Sequence, residues 1–264
     1  MKQVIFIKLG GSLITDKNTE FAAKVLVIKR LVAEIKNCLE QEKYFLIGNG
    51  SGSFGHMVAK KYQTNKGFKD KNSLLGAALT EQAAVEINRI VLQQFLLQKI
   101  PAISISPLAI FDNKLGKPRQ IFTSTVEQLI DGKFLPLVYG DVVLDRKNKF
   151  GIFSADQILK FLALEFTKKG WLVEKIIHCG ITDGVYDKYK QTIPIINKNN
   201  FARIKSSLTG SAGIDVTGGM IHKVEESLVL AKKGINSLII NGQVDGNLSK
   251  AILGKPVIAT RIEK

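Results

Sequence analysis

The sequence predicts an α/β fold in which a mostly parallel β-sheet is covered on both faces by helices. Short apolar runs alternate with longer segments of helical periodicity, and glycine turns follow several of those runs directly. No internal repeat, low-complexity block or Pro- or Gly/Ser-rich linker divides the chain, so residues 1–264 read as one compact domain. Strands buried on both faces are continuous apolar runs, and ligands of such sheets gather beyond the strands' carboxyl ends.

Residues 4–7, Val-Ile-Phe-Ile, form the first strand, closed off by Gly10 and Gly11. Residues 24–42 follow as a helix, because Ile28, Leu31, Val32, Ile35 and Leu39 recur at helical spacing. Residues 44–47 make the next strand, followed by a glycine loop. A long helix spans about 77–98, with Ala84, Ile87, Val91 and Phe95 on one stripe. Residues 102–105 and 135–139 are strand-like and flank a hairpin near 113–117; a second hairpin turns at Asn148-Lys149. A helix over 156–167, a strand over 171–178, a helix over about 219–233 and a strand over 237–240 complete the alternation.

With 45% apolar residues the chain can bury a substantial core, yet its longest apolar runs fall far short of the ~18 residues a membrane span needs. A cytoplasmic protein is expected. Cys38 and Cys179 lie far apart, outside any metal-binding spacing, and suit a reducing compartment as buried thiols. The net charge of +15 could mark a nucleic-acid binder, but the lysines are scattered over helix ends and loops. They read as a solvated surface that also attracts polyanionic small substrates.

Three glycine-bearing segments follow strand candidates: residues 8–12 (KLGGS), 48–56 (GNGSGSFGH) and 180–184 (GITDG). In a parallel sheet they converge on one edge. Glycine between a strand and a helix lets backbone N–H groups approach an anion, and the helix N-terminus adds a favourable dipole. Neither of the first two loops fits the Walker A pattern. One such loop could serve a tight turn only; two, with Lys8 and His56 at their edges, point to a double-phosphate site.

Six segments in order, KLGGSLITDK (8–17), GSGSFGH (50–56), LVYGDVVLD (137–145), FSADQI (153–158), TDGVYDK (182–188) and DVTGGMIHK (215–223), resemble the amino-acid-kinase family. The SFGH ending and the DVTGGM segment are most similar to its isopentenyl phosphate kinase group and the related fosfomycin kinases. The resemblance implies a three-layer αβα sandwich, with about 1–170 holding a phosphate-bearing acceptor and about 171–264 holding ATP. It implies a catalytic set of Lys8, Lys17, His56, Asp156 and Lys223. ATP would lie against Lys8, Gly10, Gly11, Ser12, Gly52, Thr182, Asp183, Tyr186, Gly218, Gly219 and Lys223, and the acceptor against Ser51, His56 and Gly140. Mg²⁺ would sit on phosphates and water, with no protein ligand set, and a homodimer is implied. The chain departs from the family pattern at Asn49 to Gly52, where His-Gly-Gly-Gly is usual, at Ala155 and Gln157, and at Gly180.

The expected reaction is transfer of the γ-phosphoryl of ATP to the phosphate of isopentenyl phosphate. Phosphoryl transfer asks the protein mainly to position and neutralise. A phosphate monoester, with a second pKa of about 6, is already dianionic near neutrality and needs no general base, so His56 serves as an anchor whose pKa the dianion raises. Phe54, Met57, Phe68 and Leu75 are candidates for a prenyl pocket, whereas His178 and His222 lack a partner pattern and read as structural. A phosphonate kinase resembling fosfomycin kinase, or a non-catalytic nucleotide- or nucleic-acid-binding protein on this fold, remain the alternatives.

Overall fold

The structure, a computed structural model, describes residues 2–39, 43–209 and 218–264. In chain order the elements are β1 (Gln3–Leu9), α1 (Gly11–Ile14), α2 (Val25–Lys36), β2 (Tyr44–Asn49), α3 (Gly52–Tyr62), α4 (Lys71–Leu97) and β3 (Ala102–Ser104). Next come β4 (Phe111–Lys114), β5 (Lys117–Ile121), α5 (Ser124–Asp131), β6 (Leu135–Tyr139), β7 (Asp141–Asp145), β8 (Lys149–Phe153), α6 (Ala155–Lys168) and β9 (Leu172–Gly180). The chain continues through β10 (Ile195–Ile196), α7 (Phe201–Thr209), α8 (Gly218–Ala231), β11 (Asn236–Asn241), α9 (Asn247–Leu253) and β12 (Ala259–Ile262).

The main sheet has the order β10-β12-β11-β9-β1-β2-β6-β3. From β11 to β3 every neighbouring pair is parallel; β12 runs antiparallel to β11. The two expected hairpins, β4-β5 and β7-β8, join into a separate four-stranded sheet. Alternation along β1 builds the two halves of the core. Ile5, Ile7 and Leu9 face α2, α4 and α9, packing with Ile28, Leu31, Ile87, Phe95 and Leu248, whereas Val4 and Phe6 face α6 and pack with Ile158, Leu162 and Phe166. Phe6 meets Phe166 edge-on at 5.7 Å, and truncating either fully buried ring would cost about 3–5 kcal/mol. The result is the three-layer αβα sandwich expected.

Helices α3, α5 and α9 lie where the periodicity was too short to register, and α4 begins at Lys71, ahead of the stripe at 77. Its start is set by a capping box: Asp70 accepts from the Ser73 N–H, and Ser73 Oγ accepts from the Asp70 N–H. Residues 40–42, the end of the first expected helix, lie outside the described residues, as do 215–217 of the DVTGGMIHK segment. Among the described residues no helix is long and apolar enough to cross a membrane.

Candidate active site

A cavity of about 1120 Å³ opens at the carboxyl ends of the central strands. Its backbone floor is a row of turns that prolong the sheet's hydrogen bonding. Gly10 N–H donates to Cys179 O at 2.8 Å, Gly50 N–H to Leu9 O at 3.0 Å, and Gly140 N–H to Asn49 O at 3.0 Å. The first two glycine loops touch backbone to backbone: a Cβ on Gly11 would stand 2.5 Å from the Gly52 nitrogen, and one on Gly50 would stand 2.8 Å from the Gly11 nitrogen. Gly52 takes a left-handed φ of +52°, and a Cβ there would fall 2.1 Å from Thr15 Oγ1. Thr15 locks the loops together, because its hydroxyl donates to Gly11 O at 2.8 Å and accepts from the Ser53 N–H at 3.0 Å. From Gly52 the chain enters α3, an eleven-residue helix whose first turn borders the cavity.

The charged cluster follows from strand register. Lys8 and His178 are paired across β1 and β9, so their side chains emerge side by side on the α6 face of the sheet. Asp156 descends on them from the first turn of α6, a turn held by the Ser154–Gln157 capping box. Its Oδ2 accepts from Lys8 Nζ at 2.6 Å, and its Oδ1 lies 2.9 Å from His178 Nδ1. Burial opposes charge on Asp156, but Lys8, Lys223 and the His178 bond hold its carboxyl well below the usual carboxylate range. Lys223, from α8, is pushed down to about 8 by burial and by the charge of Lys8, with Asp156 acting the other way. His178 is lowered by burial, with Asp156 opposing.

His56 stands in α3 on the far side of the cavity, open to solvent there but crowded by the walls. Its imidazole is lowered, first by that crowding and then by Lys8. Apolar side chains also line the cavity, among them Met57, Ala59, Ala84, Ile152 and Phe153. Asp141 also lines the cavity, 2% exposed; burial pushes its carboxyl up to about 8, Val142 N–H donates to Oδ1 at 2.6 Å, and Oδ2 has no partner among the described residues.

Of the residues singled out from the sequence, Lys8, Gly10, Gly11, Ser12, Lys17, Ser51, Gly52, His56, Gly140, Asp156, Thr182, Gly219 and Lys223 all line this cavity. Gly218 begins α8. Asp183 and Tyr186 pair with each other instead, the Tyr186 hydroxyl donating to Asp183 Oδ2 at 3.1 Å, in a loop that meets the cavity through Thr182. Of the four apolar candidates only Met57 lines it. Phe54 is fully buried against Phe21 and the core, Phe68 packs with Ala77, Val142 and Phe150, and Leu75 faces outward at 55% exposure. Phe54 lies on the inner face of α3, one of the helices the periodicity did not disclose.

His178 is the principal residue missed, and a signal for it exists in the sequence. Lys8-Leu9-Gly10 and His178-Cys179-Gly180 place a polar side chain two residues before a strand-ending glycine in the same way. His222 lies at the rim, 3.4 Å from Glu225.

The chain is 35% identical to the isopentenyl phosphate kinase of Methanothermobacter thermautotrophicus, with 98% of each chain covered, and 34% identical to that of Methanocaldococcus jannaschii, with 94% and 95% covered. Among solved structures, one of an isopentenyl phosphate kinase superposes with a TM-score of 0.81 at 32% identity, covering 98% of this chain and all of the other. Residues 3–241 match the amino acid kinase family, so the strand-end glycine turns and the cluster they frame are those of a chain that belongs to that family.

Proposed function

We propose that the chain is a kinase that transfers the γ-phosphoryl of ATP to the phosphate of isopentenyl phosphate, giving isopentenyl diphosphate and ADP. The observation that carries it is the convergence of Lys8, Lys223, two interlocked glycine loops and His56 on one cavity that apolar side chains also line. Relatives bearing that activity in their names cover nearly the whole chain.

In this reading residues up to about 170 hold the acceptor and residues 171–264 hold ATP. Lys8, Lys17 and Lys223 neutralise the transferred group, with the β1 turn (Gly10, Gly11, Ser12), Gly52, Gly218 and Gly219 around the nucleotide phosphates. Thr182, Asp183 and Tyr186 belong to the nucleotide side. Asp156 takes one of the three N–H donors of Lys8 and leaves the other two for phosphate oxygens. Ser51, His56 and Gly140 bound the acceptor phosphate, and Met57, Ala84, Ile152 and Phe153 receive its apolar tail. The acceptor oxygen is a dianion's and needs no base; the work is to hold two anions with reacting atoms about 3–3.5 Å apart.

Mg²⁺ accompanies the nucleotide in this reading. Of the carboxylates lining the cavity, Asp156 is committed to Lys8 and His178, Glu226 to Lys160, and Asp141 is held largely protonated. Such a lysine-rich wall fits an ion carried in on phosphate oxygens and water. Once bound, it offsets phosphate charge. The reading also takes the enzyme as a homodimer and, in keeping with the free, buried thiols of Cys38 and Cys179, as cytoplasmic.

The test is ADP release, with product identification, over isopentenyl phosphate, dimethylallyl phosphate, fosfomycin, acetylglutamate, carbamate and UMP. Turnover of isopentenyl phosphate is expected to exceed the rest. Activity on fosfomycin alone would make the chain a phosphonate kinase, and activity only on the last three would place the acceptor outside this group.

A further inference from the structure

We infer that His178 is the positioning residue that fixes Asp156 and couples the two catalytic lysines of β1 and α8. This rests on the kinase reading. His178 projects from β9 beside Lys8 and is 4% exposed. Nδ1 meets Asp156 Oδ1 at 2.9 Å, while Nε2 lies 3.5 Å from Ser227 Oγ, itself buried on α8. Asp156 is an ionised carboxylate and can only accept, so the proton of that contact belongs to His178 Nδ1. A neutral ring protonated on Nδ1 carries a bare Nε2, and the Ser227 hydroxyl supplies the matching donor.

The chain of contacts therefore runs Ser227, His178, Asp156, Lys8 across α8, β9, α6 and β1. Ser227 stands one helical turn after Lys223, on the same side of α8. One imidazole thus sets the helix that carries Lys223 against the acid that holds Lys8. The charged groups around the ring are Asp156 from α6, Lys8 from β1 and Lys223 from α8. Without the Nδ1 donor, Oδ1 of Asp156 is left without its partner, and the carboxylate is free to turn both oxygens between the two ammonium groups. Lys8 would then be drawn off the phosphates and the field on Lys223 would change.

The test uses His178→Phe, which keeps a ring and removes both contacts, and His178→Asn, whose Nδ2 occupies the position of Nδ1 relative to the backbone. His178→Phe is expected to lower kcat for isopentenyl phosphate by about 10- to 100-fold, with KM for ATP within about threefold. The alkaline limb of kcat/KM should also move. His178→Asn should recover most of the turnover and the wild-type limb. Wild-type turnover in His178→Phe, or equal losses in both variants with an unmoved limb, would overturn the assignment.

Two readouts do not depend on activity and separate this inference from the kinase reading. Imidazole ¹⁵N shifts of the wild-type chain should show neutral His178 as the Nδ1–H tautomer at pH 8; an Nε2–H tautomer would overturn the inference even if His178→Phe failed to fold. Titration of Lys223, followed by ¹³C-methyl labelling and assigned with Lys223→Arg, should shift in His178→Phe and be restored in His178→Asn. An unshifted titration refutes the coupling. Failure of the wild-type chain to release ADP with isopentenyl phosphate would sink the kinase reading alone.

Discussion

Asp156→Asn removes the carboxylate that holds Lys8 and bears on Lys223 while keeping its shape and one of its two acceptor oxygens. In the native site Lys223 already lies near 8, depressed by burial and by Lys8, with Asp156 holding it up. Loss of a neighbouring opposite charge lowers a lysine by about 1–3 pH units, moving Lys223 to between roughly 5 and 7. At pH 7.5 a group at about 8 is about three-quarters protonated; one at about 7 is about a quarter protonated, and one at about 5 well below 1%. Discharge of Lys223 alone therefore costs roughly 3- to 200-fold, before any loss from the freed Lys8 ammonium. The assay is kcat/KM for ATP by ADP release across pH 6 to 9.5, since that parameter reports groups of the free enzyme. The wild-type profile should fall above about pH 8, the variant's limb should lie one to three units lower, and the variant's deficit should shrink as the pH falls. A deficit constant across this range, or none, would refute the charge argument and leave Asp156 as an acid that merely favours the N-terminus of α6.

Four further outcomes follow from the same geometry. His56→Ala should collapse turnover while leaving ATP affinity, read by calorimetry, within about threefold; lost nucleotide affinity would place His56 on the wrong side of the cavity. His56 is depressed in the free chain by crowding and Lys8, so acceptor binding near pH 7 should take up a proton, seen as binding heats that vary with the buffer's ionisation enthalpy. Gly52→Ala forces a Cβ into a left-handed residue 2.1 Å from Thr15 Oγ1 and 2.8 Å from Gly11 O, and should cost at least about 2 kcal/mol in urea denaturation. Asp141 has its folded pKa raised to about 8, so its contribution to stability is present below the unfolded value and is lost as pH rises toward 8; Asp141→Asn should flatten that decline, measured as Tm at pH 5 and pH 8.

Much of this molecule is legible along the chain because its signals are local. The apolar run of β1, the stripe of α2 and the glycines that end β1, β2 and β9 reflect burial on both sheet faces and close backbone approach, and both act on neighbouring residues. Lys8, Asp156 and Lys223 were readable from their surrounding motifs, and the expectation that the three glycine-bearing segments share one edge followed from parallel strands alone. Helix α3 was not readable: Gly52 and Gly55 within an eleven-residue stretch read as a glycine loop, and its inner face, with Phe54, is organised by packing on the core. Met57 but not Phe54 reaches the cavity for that reason.

What the sequence by itself determined is the alternation of strands and helices, the glycine turns and the residue types able to hold phosphate. Only the tertiary structure decided which side chains meet. The pairing of Lys8 with His178 depends on the register between β1 and β9, strands separated by more than 160 residues, and the fall of Asp156 onto both depends on where α6 begins above them. Strand register is set by the packing of whole faces, since a slip of one residue would turn every side chain over. No segment read alone contains that information, which is why a histidine without a local partner proved to sit against the site's central acid.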